Sequence, residues 1–193
     1  MDVSGHINTK DPTETNRAVR KIWENLFGSI HFDKVEYTLG DVVRLFNGEY
    51  PDYQGCDTPY HDLEHTLQAY LATARMIDGL VQEEPASMQE EYLVLGLISA
   101  LWHDTGFIKQ TYDTEGSGAK YTFVHVNRSK KFVGNYLPKL GFNPYEICFV
   151  QNTISCTGLW LTLSRIPFNS ETERRLGFIV GTADYLGQMS DPH

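Results

Sequence analysis

Helix start and stop signals recur along this chain, and they limit the fold more than any other feature. Asp11 followed by Pro12 is typical of an N-cap and a first helical residue, and Gly28 suits the end of the same helix. Thr58 followed by Pro59 repeats the start signal. Alternating apolar and polar residues, the pattern of a half-buried strand, are nearly absent. The sequence therefore predicts an all-α bundle of about seven helices.

The predicted helices follow one another without an internal repeat or a linker that suggests a second domain. They cover residues 12–27, 39–46, 59–79, 87–103, 122–140, 144–155 and about 170 to beyond 184, with Ser87 as the cap of the fourth. Residues 105–121 and 158–169 lack apolar periodicity, so we expect irregular segments there, the first forming a flexible rim over a site. Residues 1–193 are predicted to form a single domain. Because the chain stops shortly after residue 184, a natural C-terminus and a truncated one are both open.

The net charge limits the classes of binding partner, and the cysteine content indicates the cellular compartment. The formal net charge of -9 disfavours nucleic-acid polymers and anionic membranes as partners. The three cysteines are odd in number and have no metal-binding spacing, which is typical of a protein in a reducing cytoplasm. No signal peptide is visible, and the apolar run at residues 93–102 is about half as long as a membrane span. We expect a cytoplasmic protein whose oligomeric state stays open, a homodimer included.

Histidine and aspartate are concentrated in three short fragments of the predicted helices. The fragments are Tyr-His-Asp-Leu-Glu-His at 60–65, Trp-His-Asp at 102–104 and Thr-Ala-Asp at 182–184. His61 and His65 are four residues apart on a predicted helix, which would place them on one face. His103 and Asp104 are adjacent at the end of an apolar helix. Asp184 lies in another apolar helix, where an unpaired buried carboxylate would be costly.

This combination of imidazoles and carboxylates is the donor set of a metal site. It suits zinc, iron, manganese or a magnesium/manganese pair, and it leaves positions open for water. Taken singly, each histidine can equally be a half-buried side chain bonded to its neighbours, and a histidine at a helix C-terminus stabilises the dipole. Taken together, the ordered set favours a metal site.

The order His…His-Asp…Asp resembles the signature of the HD superfamily of metal-dependent phosphohydrolases. The opening Tyr-His-x-x-x-His at residues 60–65 is similar to the first motif of the cyclic-nucleotide phosphodiesterase catalytic domains. The resemblance spans residues 60–184 and implies a single HD-type catalytic domain with a helical-bundle fold. It also implies one or two divalent metal ions, among which Mn, Mg, Fe, Zn and Ni are not distinguished.

Transferred to matching positions, the resemblance gives each residue a role. It implies that His65, His103, Asp104 and Asp184 are metal ligands and that Asp104 bridges to a second metal. His61 matches the histidine that protonates the leaving oxygen, a role that imidazole chemistry also allows. The implied reaction is attack of a metal-bound hydroxide on phosphorus, with His61 and Asp104 as the catalytic residues.

Departures from the phosphodiesterase pattern widen the range of substrates that the resemblance allows. Asp62 stands where those enzymes usually have Asn, and Phe107 stands where they have a further His. The acidic pair of the alarmone hydrolases is replaced by Phe107 and Ile108, and no Gly-Tyr-Pro triplet of the cyclic-di-GMP hydrolases is present. We expect a small-molecule phosphoester substrate, with a nucleotide or cyclic nucleotide as the favoured class.

Three further residues are candidates for contact with the substrate or a second metal: His125, Arg128 and Asp62. Lys109, Lys120 and Arg165 are the other cations considered for phosphate contact. Two alternative functions stay open. An HD-type di-iron oxygenase would need His125 and further ligands, and a non-catalytic nucleotide-sensing regulatory domain would keep the metal without turnover.

Overall fold

The computed structural model describes residue 2 and residues 6–28, 32–84, 89–158 and 162–190. Within these residues the fold consists of helices and short 3₁₀ turns, and strand-like pairing is limited to one bridge between Tyr53 and Gln110. The helices are α1 Pro12–Phe27, α2 Asp33–Phe46, α3 Leu63–Glu83, α4 Glu90–Trp102, α5 His125–Tyr136, α6 Pro144–Ser155 and α7 Glu171–Ser190. The prediction of an all-α bundle of about seven helices is confirmed.

Side-chain caps explain the helix ends that the sequence placed correctly. The Asp11 side chain accepts hydrogen bonds from the backbone N–H groups of the first turn of α1, and Gly28 ends that helix with a positive φ of 73°. At α6, Asn143 and Glu146 form a reciprocal capping box beside the proline at the first helical position. Both signals are local, so the sequence alone is sufficient to read them.

The predicted start of α3 at Thr58 and Pro59 is wrong. The helix begins at Leu63, and Asp62 is its N-cap, accepting a hydrogen bond from the backbone N–H of His65 at 2.9 Å. The Thr58 hydroxyl instead donates to the carbonyl oxygen of His61 at 2.8 Å. His61 therefore lies in the turn before α3, and the expectation that it shares a helix face with His65 is also wrong.

The other boundaries differ by smaller amounts. α2 begins at Asp33 rather than at residue 39, and α5 begins at His125 rather than at 122. After Tyr136 the chain tightens into a 3₁₀ turn, Leu137–Leu140, which ends at the left-handed Gly141. α4 begins at Glu90, and its expected cap, Ser87, lies outside the described residues.

Packing around α4 brings the His and Asp fragments together. Every residue from Leu93 to Trp102 is buried, because α4 packs against α2, α3, α6 and α7. α7 also packs against α3, so the middle of α7 and the start of α3 lie near the end of α4. Each fully buried aliphatic side chain in this core contributes about 1.5–3 kcal/mol to stability. Among the described helices, none combines the length and the apolar character needed to cross a membrane.

The sequence suggests a flexible rim over residues 105–121, but the first part of that segment is buried, whereas most of residues 110–121 are exposed. Residues 103–109 are all buried, and Thr105–Phe107 forms a 3₁₀ turn. We refer to residues 103–108 as the metal turn, because they begin with two of the predicted ligands.

Candidate metal centre

Four buried side chains converge at the junction of α3, α4 and α7. The Nε2 atom of His65 lies 2.9 Å from Oδ1 of Asp184 and 3.4 Å from Oδ2 of Asp104. The Nε2 atom of His103 lies 3.2 Å from Oδ2 of Asp104, 3.4 Å from Oδ1 of Asp184 and 3.4 Å from Nε2 of His65. None of these four residues is more than 4% exposed.

Each of these five separations is compatible with two ligand atoms of one metal ion. Ligand atoms about 2.0–2.2 Å from one metal stand about 3.0–3.4 Å apart in octahedral or tetrahedral geometry. The side chains of His65, His103 and Asp184 meet the distance requirement for a metal-binding group, and so do those of His61, His65 and Asp104. The two groups share His65, and together they can hold a metal ion.

Hydrogen bonds around the cluster aim the ligand atoms inward. The Nδ1–H of His103 donates to the carbonyl oxygen of Ala100 at 2.8 Å, which leaves the Nε2 lone pair facing the centre. For His65, the Asp62 cap fixes the backbone N–H. Gly187 of α7 leaves room for the imidazole, because a Cβ there would stand 3.3 Å from its Nδ1 atom.

The electrostatics of the cluster favour a bound cation. Burial disfavours the charged form of His103, but Asp104 and Asp184 outweigh it and hold the pKa of His103 well above its ordinary value. Burial likewise opposes ionisation of Asp104, but the neighbouring histidines hold its pKa well below the ordinary range. The two buried carboxylates therefore stay ionised by drawing positive charge into the cluster, and a divalent ion is a stronger source of it.

Two further histidines contact the carboxylate of Asp104. Nδ1 of His61 lies 2.9 Å from Oδ2 of Asp104, and the His61 side chain is 27% exposed. Nε2 of His125 lies 3.9 Å from Oδ1 of the same residue. Because Nδ1–H of His125 donates to the carbonyl of Thr122 and burial lowers its pKa, His125 presents a neutral lone pair to Asp104. Asp104 thus contacts histidines on two sides, His65 and His103 within the cluster and His125 outside it.

Phe107 joins the two outer histidines, a role that the sequence did not indicate. Its ring lies 4.2 Å from that of His61 and 4.3 Å from that of His125, nearly parallel to both. Phe107 is 1% exposed, so the stacking places an apolar wall behind both imidazoles.

The predicted phosphate-binding cations are engaged elsewhere. Arg128 donates from Nε to the carbonyl of Gly106 at 2.6 Å and from Nη2 to that of Ile108 at 2.9 Å. Lys109 is buried and pairs with Asp57 at 2.9 Å. Lys120 similarly pairs with an aspartate of its own loop, and Arg165 lies exposed in the 3₁₀ turn Leu163–Arg165. Arg128 therefore holds the metal turn, and Asp62 caps α3, whereas phosphate contact by either is a prediction without a supporting contact.

Ser129 of α5 also holds the metal turn, and nothing in the sequence marked it. Its hydroxyl donates to the carbonyl of His103 at 2.6 Å and accepts from the N–H of Gly106 at 2.8 Å. Ser129 is fully buried. A Cβ at Gly106 would stand 1.9 Å from the carbonyl oxygen of His125, so glycine is required for this close approach.

Comparisons with protein-family models, with curated proteins and with solved structures gave no match. The geometry of the cluster and the order of its residues along the chain are the features that bear on function.

Proposed function

We propose that this chain is a metal-dependent phosphohydrolase that cleaves a small phosphoester, with a nucleotide or cyclic nucleotide as the favoured substrate. The observation that carries the proposal is the approach of four buried ligand atoms to within 2.9–3.4 Å, with a partly exposed histidine beside them. All three cysteines are free, which supports a reducing, cytoplasmic location.

His65, His103, Asp104 and Asp184 are the residues that would hold the metal. A bound divalent ion supplies an acidified water nucleophile and positive charge beside the phosphoryl oxygens. The chain itself contributes burial, which excludes bulk water and strengthens the electrostatic contacts inside the cluster.

His61 is suited to deliver a proton to the leaving oxygen. Its Nδ1 atom lies against the carboxylate of Asp104, which leaves Nε2 as the nitrogen that could carry a proton to a substrate. His65 and His103 are at most 2% exposed, whereas His61 is 27% exposed at its side chain. We therefore assign the buried His65 and His103 as metal ligands and the more exposed His61 as the proton donor, because a substrate can reach only the exposed side chain.

A di-iron oxygenase is the second candidate, and the position of His125 favours it. The 3.9 Å separation between His125 Nε2 and Asp104 Oδ1 would let His125 contribute to a second metal. This candidate predicts tightly bound iron and oxygen-dependent turnover that His125→Ala abolishes.

The decisive experiment combines metal analysis with a substrate screen. The purified chain is analysed for metal and assayed with phosphomonoesters, phosphodiesters and cyclic nucleotides in added Mn²⁺. Asp104→Asn should remove both metal and activity. His61→Ala should keep the metal and lose about 10²–10⁴-fold in kcat, the size of a general-acid contribution. His6→Ala, at an exposed histidine, is the matched control. Absence of metal, or turnover that survives Asp104→Asn, would overturn the proposal.

A further inference from the structure

One cavity of the structure has none of the candidate metal ligands in its lining. It has a volume of about 490 Å³ and is lined by α2, residues 50–53, α5 and the turn after α5. A smaller recess of about 140 Å³ shares Tyr53 and Phe132 with it and extends to Gly106. We call the two together the groove. Its larger part is within the range of small-molecule sites, about 300–1,000 Å³.

Aromatic rings form much of the groove wall. The rings of Tyr50, Tyr53 and Phe132 contact one another, with centroids 5.4–6.2 Å apart. Tyr37 also lines the groove and is 59% exposed. An exposed ring beside a cluster of rings offers a flat surface on which a planar ligand can stack.

The charge of the groove is opposite in sign to that of the whole chain. It is lined by four cationic residues, Arg44, Lys139, Arg128 and Lys131, and by two acidic ones, Asp41 and Asp52, whereas the chain carries a formal net charge of -9.

The carboxylate of Asp41 is already neutralised within the protein. It accepts a hydrogen bond from the Tyr136 hydroxyl at 2.8 Å and pairs with Arg44 at 3.1 Å. Lys131 and Lys139 are exposed and make no ion pair with any residue that the structure describes. The groove therefore has positive charge to offer an anion.

Hydrogen bonds between two loops hold the groove wall in shape. The side chain of Gln54 donates to the carbonyl oxygens of Gln110 and Asp113 at 2.7 and 2.6 Å, and its backbone N–H donates to Lys109. The backbone bridge between Tyr53 and Gln110 lies beside these contacts. A wall that is already ordered costs little entropy when a ligand binds.

We propose that the groove binds a small anion that carries a planar ring, of the class of a nucleoside monophosphate, at a site separate from the metal centre. The ring stacks on the tyrosines, and the anionic group pairs with the lysines. The proposal does not rest on the phosphohydrolase activity, because none of the candidate metal ligands lines the groove.

Isothermal titration calorimetry of the full chain in EDTA tests this directly. The probes are AMP, adenosine and inorganic phosphate, and EDTA removes any contribution from a bound metal. Tyr37→Ala and Lys139→Glu should each weaken AMP binding about tenfold, the size of one lost ring stack or charge contact. Adenosine and phosphate should each bind more weakly than AMP. Lys34→Glu, on the same helix as Tyr37, and Phe123→Ala are exposed controls outside the groove and should leave binding unchanged.

Three other outcomes would contradict the proposal that the groove binds the anion. No AMP binding at millimolar concentration would overturn the proposal, and so would equal losses in the control variants. Binding that resists both groove variants but is abolished by His61→Ala would assign the AMP to the metal centre instead. Tyr37 and Lys139 are both exposed, so their substitution should leave the fold intact, and thermal melts check this.

Discussion

Replacement of Ser129 by alanine should damage the metal centre without touching a predicted ligand. The change keeps Cβ and removes only the hydroxyl that joins the carbonyl of His103 to the N–H of Gly106. Both backbone groups lie in buried residues. Each group would lose its side-chain partner in a place that water reaches poorly. Leaving a buried backbone group without a partner lowers folding stability by about 1–3 kcal/mol for each group.

The expected loss of stability is therefore about 2–6 kcal/mol in total. In a chain of this length each kcal/mol lowers Tm by about 2–4 °C, so the melting temperature should fall by on the order of 4–24 °C. Metal affinity should fall as well, by about 10–100-fold, because the hydroxyl fixes the backbone on which His103 and Asp104 are carried.

Ser99→Ala is the matched control for this prediction. Ser99 is also fully buried, but its hydroxyl donates only to the carbonyl of Leu95 within the same helix. Ser129→Ala should have a clearly lower melting temperature than Ser99→Ala in thermal melts. It should also have a clearly lower affinity for Mn²⁺ in calorimetric titrations. If the two variants had equal stability and equal metal affinity, the assigned role of Ser129 would be refuted.

Three other outcomes follow from the structure. Gly106→Ala should cost about 3 kcal/mol or more in a thermal melt, because its Cβ would stand 1.9 Å from the carbonyl oxygen of His125. Removing metal with a chelator should lower Tm by roughly 5–11 °C from its value at a free metal concentration 100 times Kd, which corresponds to about 2.7 kcal/mol. Burial raises the pKa of Cys156 to about 12, so iodoacetamide at pH 8 should modify it more slowly than Cys148 by mass spectrometry.

Local signals determined how well the sequence predicted each helix end. The cap of α1 acts through a side chain within three residues of the bonds it makes, so Asp11 identifies it directly. Thr58 gave an equally good local signal and was misleading, because Asp62, four residues later, competes for the same role. Which of these two residues caps α3 depends on the contact between His61 and Asp104. That contact joins residues 43 positions apart in the sequence, so no local signal reveals it.

Residues that support the metal centre were harder to predict than the candidate ligands. Histidine and aspartate carry metal chemistry in their side chains, so their order alone suggested a site. Ser129 and Phe107 have no such chemistry, and their importance comes from contacts made after folding. Arg128 illustrates the same limit: a guanidinium suggests a phosphate, and nothing in the sequence indicates its two bonds to backbone carbonyls of the metal turn.

The displacement of His61 from α3 changes what the first motif can do. On a helix, His61 would lie one turn from His65 and approach the same ion from the same side. In the turn before α3, its ring reaches Oδ2 of Asp104 from the more exposed side, while His65 and His103 approach from within the core. Asp104 consequently contacts all four histidines of the centre, His125 included. A change of charge at this one carboxylate should therefore affect both metal binding and the proposed proton delivery, whereas a change at His61 should affect the proposed proton delivery more than metal binding.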